Sequence, residues 1–322
     1  MSHNFESFCR DAGLLPRDIV ADDRWRRCPT ESHPRGKNGV YKLSDDGGLG
    51  LAQDWAIHSE PLVWRPGKET PAHHIDYQAI ERRREGARRK LVQATVEALE
   101  FYQSCQPLIG GHPYLHGKNL DMAGGEGLRL DRDGWIVIPM WCGRRFSSVQ
   151  RISDSGEKRF WPGASTKGAQ FNIERHGAAL TVLCEGLATG LAIFAAVPTC
   201  RVIVAFNAGN LVRVAETLPR RGMAVVAADN DHATESKIGT NPGMKAAQEA
   251  AGVLGCGIAA PTGIIGTDWL DYRNERVAER IEAAAATMRR GQSESGIRRA
   301  VDAEISAAMM RGARLLREVS HG

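Results

Sequence analysis

The chain has no apolar run near the roughly 20 residues that a membrane-spanning helix requires, and Met1-Ser2-His3-Asn4 is too polar for a secretory signal. A cytoplasmic protein is the expectation. Its 7 cysteines, at positions 9, 28, 105, 142, 184, 200 and 256, stand singly with no Cys-x-x-Cys pair. An odd, scattered set of this kind argues against a disulfide framework. A structural zinc site needs four Cys or His ligands at close spacing. Cys28 and His33 are the one suggestive pair, and His58, His73 and His74 lie scattered on polar segments, so no zinc is expected. No Gly-x-x-x-x-Gly-Lys-Ser/Thr segment occurs, which removes a P-loop ATPase module. Charge of one sign is not in excess either: 42 Lys and Arg against 38 Asp and Glu leave +4, so any nucleic-acid affinity depends on distribution.

What the sequence does contain is concentrated between Leu180 and Asp231. Two short apolar runs each end in carboxylates: Leu180-Thr181-Val182-Leu183-Cys184-Glu185-Gly186 and Met223-Ala224-Val225-Val226-Ala227-Ala228-Asp229-Asn230-Asp231. A helix-like stretch and a third apolar run, Val202 to Phe206, lie between them, which reads as strand-helix-strand. In an open α/β sheet, groups leaving the carboxyl ends of parallel strands gather in one crevice. Glu185, Asp229 and Asp231 can therefore converge, and three acids in one place call for a hard divalent cation such as Mg²⁺ or Mn²⁺. Asp-Asn-Asp alone is equally good turn chemistry; its pairing with Glu185 favours the site.

The motifs Leu183-Cys184-Glu185-Gly186-Leu187-Ala188-Thr189-Gly190, Phe206-Asn207-Ala208-Gly209-Asn210-Leu211, Ala228-Asp229-Asn230-Asp231 and Asn241-Pro242-Gly243 resemble the Toprim module of plasmid- and phage-type primases. The resemblance implies an α/β fold with a Toprim-type parallel-sheet core. It also implies Glu185, Asp229 and Asp231 as catalytic and metal-binding residues, with Asp268 of Thr267-Asp268-Trp269-Leu270-Asp271 as a further metal ligand. Asp271 is expected to cap the following helix. One departure stands out: where many primases carry a second acid four residues after the first, this chain has Thr189.

Around that core the chain divides by pattern. Residues 1–69 read as a small accessory α+β domain carrying Arg24-Trp25-Arg26-Arg27, with Trp25, Trp55 and Trp64 expected chiefly in its core. Residues 70–106 read as a long charged helix opened by Thr70-Pro71, serving as a linker. Residues 107–177 read as a β-rich basic subdomain, with Lys118, Arg144, Arg145, Arg151, Lys158, Arg159 and Lys167 near its strands and turns. Basic residues beside Phe160-Trp161 and a glycine loop suit single-stranded nucleic acid or nucleotide phosphates. Residues 178–275 form the Toprim-like unit, where Asn207 and Asn210 flank a helix start and Lys245 opens a later helix after a polar loop. Residues 276–322 read as C-terminal helices, at about 275–290 and 294–318.

The implied activity is a DNA primase making short RNA primers on single-stranded DNA from ribonucleoside triphosphates, with a separate helicase as partner and no membrane. Two alternatives use the same residues: a Toprim-type metal-dependent nuclease, and a non-catalytic single-stranded nucleic-acid-binding accessory protein. A topoisomerase, which needs a nucleophilic tyrosine in a large strand-passage domain, is not the expectation for 322 residues with 5 tyrosines.

Overall fold

A computed structural model describes residues 4–67, 77–120, 125–220, 222–286 and 293–315. Its contacts divide the chain into two units, Met1–Arg89 and Lys90–Gly322. Thr70-Pro71, His73, His74 and the C-terminal tail beyond 315 lie outside the described residues.

In the first unit, helix α1 (Phe5–Asp11) precedes four antiparallel strands in spatial order: β1 (Arg26–Cys28), β2 (Gly39–Leu43), β3 (Gly50–Asp54) and β4 (Leu62–Trp64). Side chains alternate across a strand, and in β3 Gly50, Ala52 and Asp54 are buried while Leu51 and Gln53 are half-buried. The inward residues Cys28, Tyr41, Leu43 and Ala52 pack against Phe5, Cys9 and Leu14. Gly50 is glycine for space, since a Cβ there would lie 2.2 Å from the Phe5 ring. Trp64 joins this core at 5.5 Å from Phe5. The other two tryptophans do not: Trp25 is 49% and Trp55 50% exposed, contrary to the expectation that both are core. A sheet this small has one buried face, already filled by α1.

Helix α2 (Tyr77–Ser104) contains the division between the units. The second unit continues with an antiparallel sheet of β5 (Gln106–Pro107), β6 (Arg129–Leu130), β7 (Ile136–Cys142), β8 (Arg145–Ile152) and β9 (Lys158–Phe160), with α3 (Pro113–Gly117) after β5. Strand β9 is its fully exposed edge.

The parallel sheet follows. Its elements are β10 (Phe171–Ile173), β11 (Leu180–Cys184), α4 (Leu187–Ala196), β12 (Cys200–Val204), α5 (Ala208–Thr217), β13 (Met223–Ala227), α6 (His232–Ile238), α7 (Pro242–Leu254) and β14 (Gly257–Ala259). The spatial order is β10-β12-β11-β13-β14, parallel except for the edge strand β10. The strands read as unbroken apolar runs because both faces are covered. Val182 and Cys184 face Leu191 and Ala192 of α4 and the C-terminal helices, whereas Leu183, Ile203 and Val226 face α5 and α7. The sheet is joined to its antiparallel neighbour by Trp141 and Gln170, whose amides exchange hydrogen bonds of 2.8 and 2.9 Å.

Helices α8 (Trp269–Ala286) and α9 (Glu294–Gly312) close the unit, and then β15 (Arg314–Leu315) adds antiparallel to β13. The expected second helix therefore gives way to a strand after Gly312. Likewise the polar stretch after Asp231, expected as a loop, contains α6, which Gly239 ends in the left-handed conformation. Among the described residues no helix is long and apolar enough to cross a membrane.

The return of the chain to the sheet depends on glycine. A Cβ on Gly257 would lie 2.0 Å from the Gly312 carbonyl oxygen, a backbone atom with nowhere to retreat. Gly257→Ala should lower unfolding stability by ~2 kcal/mol or more in urea titration, as overpacking against a fixed neighbour does; an unchanged midpoint contradicts this crossing.

Candidate active site

The sheet order reverses at β11: the chain runs from β11 to β12 on one side, then crosses back to β13 on the other. Helices α4 and α5, which make these two connections, lie on opposite faces. Ligand crevices form at such a reversal, outside the carboxyl ends of the strands. Glu185 leaves β11 there, and Asp229 and Asp231 leave β13. The three share one electrostatic neighbourhood with Asp268 and Lys158. Burial raises the Glu185 pKa, as do the charges of Asp231 and Asp268, whereas Lys158 and the Ala208 amide lower it. Asp229 is pushed up to about 8, by burial first, then by Glu185, Asp268 and Asp231, again with Lys158 opposing.

The Asp-Asn-Asp turn is stapled from three sides. Asn241, the N-cap of α7, accepts from the Met244 amide at 3.1 Å and from the Asp231 amide at 3.1 Å. Its own amide donates to Asn230 at 2.9 Å, and the Asn230 side chain donates to the Pro261 carbonyl at 3.0 Å. The Gly243 amide donates to Asp231 Oδ2 at 3.1 Å. A Cβ on Gly243 would meet the Asp229 carbonyl oxygen at 2.4 Å, so only glycine lets α7 start against this turn. The motif Asn241-Pro242-Gly243 was visible in the sequence, but its contacts ten to twelve residues back were not.

The cap expected of Asp271 at the start of α8 is made by Asp268. Asp268 Oδ1 accepts from the Leu270 and Asp271 amides at 2.8 and 2.9 Å, while Asp271 Oδ2 accepts from the Thr267 amide at 2.9 Å. Asp268 is thus the helix cap. Its second oxygen accepts from the Thr189 hydroxyl at 2.9 Å. Thr189 is 2% exposed and holds that oxygen from the first turn of α4.

The remaining predicted residues fall into separate places. Lys158 and Lys118 line a cleft of about 390 Å³ with Tyr114, Ser155 and Gly156. The Tyr114 hydroxyl is pushed up to about 12 by burial and by the Asp268 charge, which sets this cleft beside the acids. On β9, Lys158 acts on the carboxylates, Arg159 turns to the Trp135 ring at 5.2 Å, and Phe160 meets Phe206 at 6.4 Å. Arg151 is held internally, paired to buried Asp131 at 2.6 Å and stacked over Trp135 at 4.8 Å. Asn210 is also internal: 4% exposed, it donates to the Ala169 and Ala205 carbonyls and accepts from the Gly168 amide. Asn207 caps α5 without a side-chain hydrogen bond, and the Ala208 amide beyond it serves Glu185. Lys245 lines a groove between α5 and α7 with Arg213, apart from the Lys158 cleft. Arg144, Arg145 and Lys167 are exposed.

The donor set fits a hard divalent cation. Every group is a carboxylate, and Asp229 Oδ1 is buried with no hydrogen-bond partner, an open lone pair in a low-dielectric site. Among the described residues no three His, Cys, Asp or Glu side chains meet at metal-binding distance.

With this geometry in hand, the relatives are informative. The Toprim domain model matches residues 180–279. These residues form a Toprim domain. DNA primase TraC of Escherichia coli is 29% identical over 262 residues, 73% of this chain. The chain spans about a quarter of that relative's length, 24%. Among solved structures, the primase fragment of the bacteriophage T7 primase-helicase protein aligns over 80% of this chain and 97% of its own at 13% identity, with a TM-score of 0.39. A chain from the T7 lagging-strand DNA polymerase complex with primase domains bound to an RNA/DNA hybrid and dTTP aligns over 54% of this chain and 90% of its own, at 15% identity and a TM-score of 0.39.

The raised carboxylates of this Toprim site give a stability signature. A folded pKa near 8 against an ordinary 3.8 means that the folded state holds an extra proton between those values. Metal-free stability therefore falls as pH rises through that window, and cation binding, which competes with the proton, stabilises most at its upper end. Thermal unfolding from about pH 5 to about pH 8 should show this slope in wild type and a shallower one in Asp229→Asn. The variant should also lose most of the Mg²⁺-induced rise; equal slopes in both proteins contradict the assignment.

Proposed function

We propose that this chain is a DNA primase, joining ribonucleotides on a single-stranded DNA template with Mg²⁺ at the crevice of Glu185, Asp229 and Asp231. The observation that carries this reading is the convergence of those acids at the sheet reversal, with Asp229 Oδ1 left unpaired. Its context is the Toprim domain and the likeness to DNA primase TraC. Asp229 and Asp231, with Asp268 oriented nearby, would hold the Mg²⁺ or Mn²⁺, which would supply charge neutralisation for phosphate oxygens.

The chain's own residues account for the rest. Lys158 and Lys118, in the cleft beside the acids, face the triphosphate of the incoming nucleotide. The 3′-hydroxyl of one nucleotide attacks the α-phosphorus of the next, a new P–O bond forms, and pyrophosphate leaves. Glu185, with its raised pKa, is the group that takes the hydroxyl proton. Thr189 keeps Asp268 turned toward the site through its hydrogen bond. Exposed Arg144, Arg145, Arg159 and Lys167 are template contacts in this reading, the template being read through its phosphates. A separate helicase is the partner that supplies unwound template, and the setting is a mobile element replicating in the cytoplasm.

The test is incorporation of labelled ribonucleotides on mixed-sequence single-stranded DNA. Asp229→Asn and Asp231→Asn should each reduce primer synthesis at least about a hundredfold, the scale on which losing a transition-state charge partner acts. Neither should lower folding stability. Full synthesis by both variants overturns the proposal, and template degradation in place of synthesis identifies a nuclease.

A further inference from the structure

Tyr114 belongs to the apolar core of the second unit, together with Leu115, Trp269 and Leu270, and is 6% exposed. Its amide is bonded, but its hydroxyl has no hydrogen-bond partner among the described residues. Buried tyrosine hydroxyls ordinarily find one, and phenylalanine would fill the same space with no polar atom to satisfy. The hydroxyl oxygen is not fully enclosed, and Tyr114 lines the cleft that holds Lys118 and Lys158. The ring is therefore core, and the hydroxyl is its end open to the cleft.

Three contacts fix that hydroxyl in place. His112, the N-cap of α3, accepts from the Tyr114 amide through Nδ1 at 3.1 Å, and its Nε2 donates to the Gly134 carbonyl at 2.8 Å. The turn after β8 closes on the ring: Gly156 has a φ of +90°, and a Cβ there would lie 3.3 Å from the ring edge. At the other end of α3, the Lys118 carbonyl accepts from Asn274 of α8 at 3.3 Å. Asp268 caps that same helix, and its charge adds to burial in raising the Tyr114 hydroxyl pKa. The hydroxyl is thus a preorganised, protonated group beside two cations and the carboxylates. The Asp268 charge disfavours an anion at this point, so phosphates belong with the lysines. A fixed bond to a base edge would favour one base, which template-directed chemistry does not allow. A sugar hydroxyl both donates and accepts, as the tyrosine hydroxyl does. The 3′-hydroxyl is the group that extends the primer, which leaves the 2′-hydroxyl as the partner.

We propose that the Tyr114 hydroxyl bonds the ribose 2′-hydroxyl of the nucleotide whose phosphates Lys118 and Lys158 hold, which makes Tyr114 the residue that selects ribonucleotides over deoxyribonucleotides. The inference rests on the nucleotide-joining reading of the neighbouring acids. A site built to hydrogen-bond a substrate hydroxyl rejects the analogue that lacks it, because its own polar group is then left unpaired.

The test is isothermal titration of the full chain with ATP, 2′-deoxyATP and 3′-deoxyATP in Mg²⁺, without template. Wild type should bind 2′-deoxyATP about fivefold to a hundredfold more weakly than ATP, the range for leaving one hydrogen-bonding group unsatisfied. It should bind 3′-deoxyATP like ATP. Tyr114→Phe keeps the ring in its core and should bind all three nucleotides alike, at the wild-type level for 2′-deoxyATP. The ratio of affinities is the readout, and a general loosening of the fold does not move it. Equal binding of ATP and 2′-deoxyATP by wild type overturns the proposal, as does a wild type that binds neither. A Tyr114→Phe variant that keeps the wild-type ratio, or that instead loses a preference for the 3′-hydroxyl, also overturns it. No primer is made in this titration, so a chain that discriminates the 2′-hydroxyl but fails in primer synthesis refutes the primase reading and leaves this one standing.

Discussion

Unneutralised negative charge at the carboxyl end of the parallel sheet is the constraint on which the second unit is organised. Burial and mutual repulsion resist ionisation of both Glu185 and Asp229. The fold answers with what it has: the Ala208 amide for Glu185, the Gly243 amide for Asp231, and Lys158 for Glu185 and Asp229. One buried oxygen of Asp229 is left without a partner. Backbone amides thus serve two of the three acids, and the open lone pair of the third is the kind of donor a hard cation accepts.

Two sheets cooperate in this. The parallel sheet supplies the acids from adjacent strand ends, and edge strand β9 of the antiparallel sheet supplies the cation that tempers them. The union of the sheets is itself polar and specific. It rests on the Trp141 and Gln170 backbone exchange and on Asn210, whose three hydrogen bonds clamp the loop before β10 onto the end of β12. Asn210 is therefore structural, holding the loop between the two sheets against the end of β12.

Much of this was legible in the sequence because the relevant signals are local. Apolar runs ending in Glu185 and in Asp229-Asn230-Asp231 mark β11 and β13, and the convergence of their ends follows from the geometry of open α/β sheets. What stayed hidden was nonlocal. Thr189 read as a missing ligand, and its hydrogen bond to Asp268, 79 residues away, needed the fold. Arg151 and Arg159 look alike in the sequence and stand opposite each other on β8 and β9, yet Arg151 pairs with the buried Asp131 and Arg159 with the exposed Glu157. Asp268 and Asp271 both suit a helix start, and only the amides that meet Asp268 show that it caps α8. Trp25 and Trp55 were misread for a related reason: in a four-stranded module with one filled face, hydrophobic character does not decide which ring finds room.

The central claim is that the acids at the sheet reversal form a cation site. Anomalous diffraction from crystals soaked in manganese chloride tests it most directly. The account predicts a manganese peak bounded by Asp229 and Asp231, with Asp229 Oδ1 among its ligands and Glu185 drawn toward it. A well-ordered crevice with no peak, at manganese concentrations that saturate the Mg²⁺-dependent thermal shift, contradicts it.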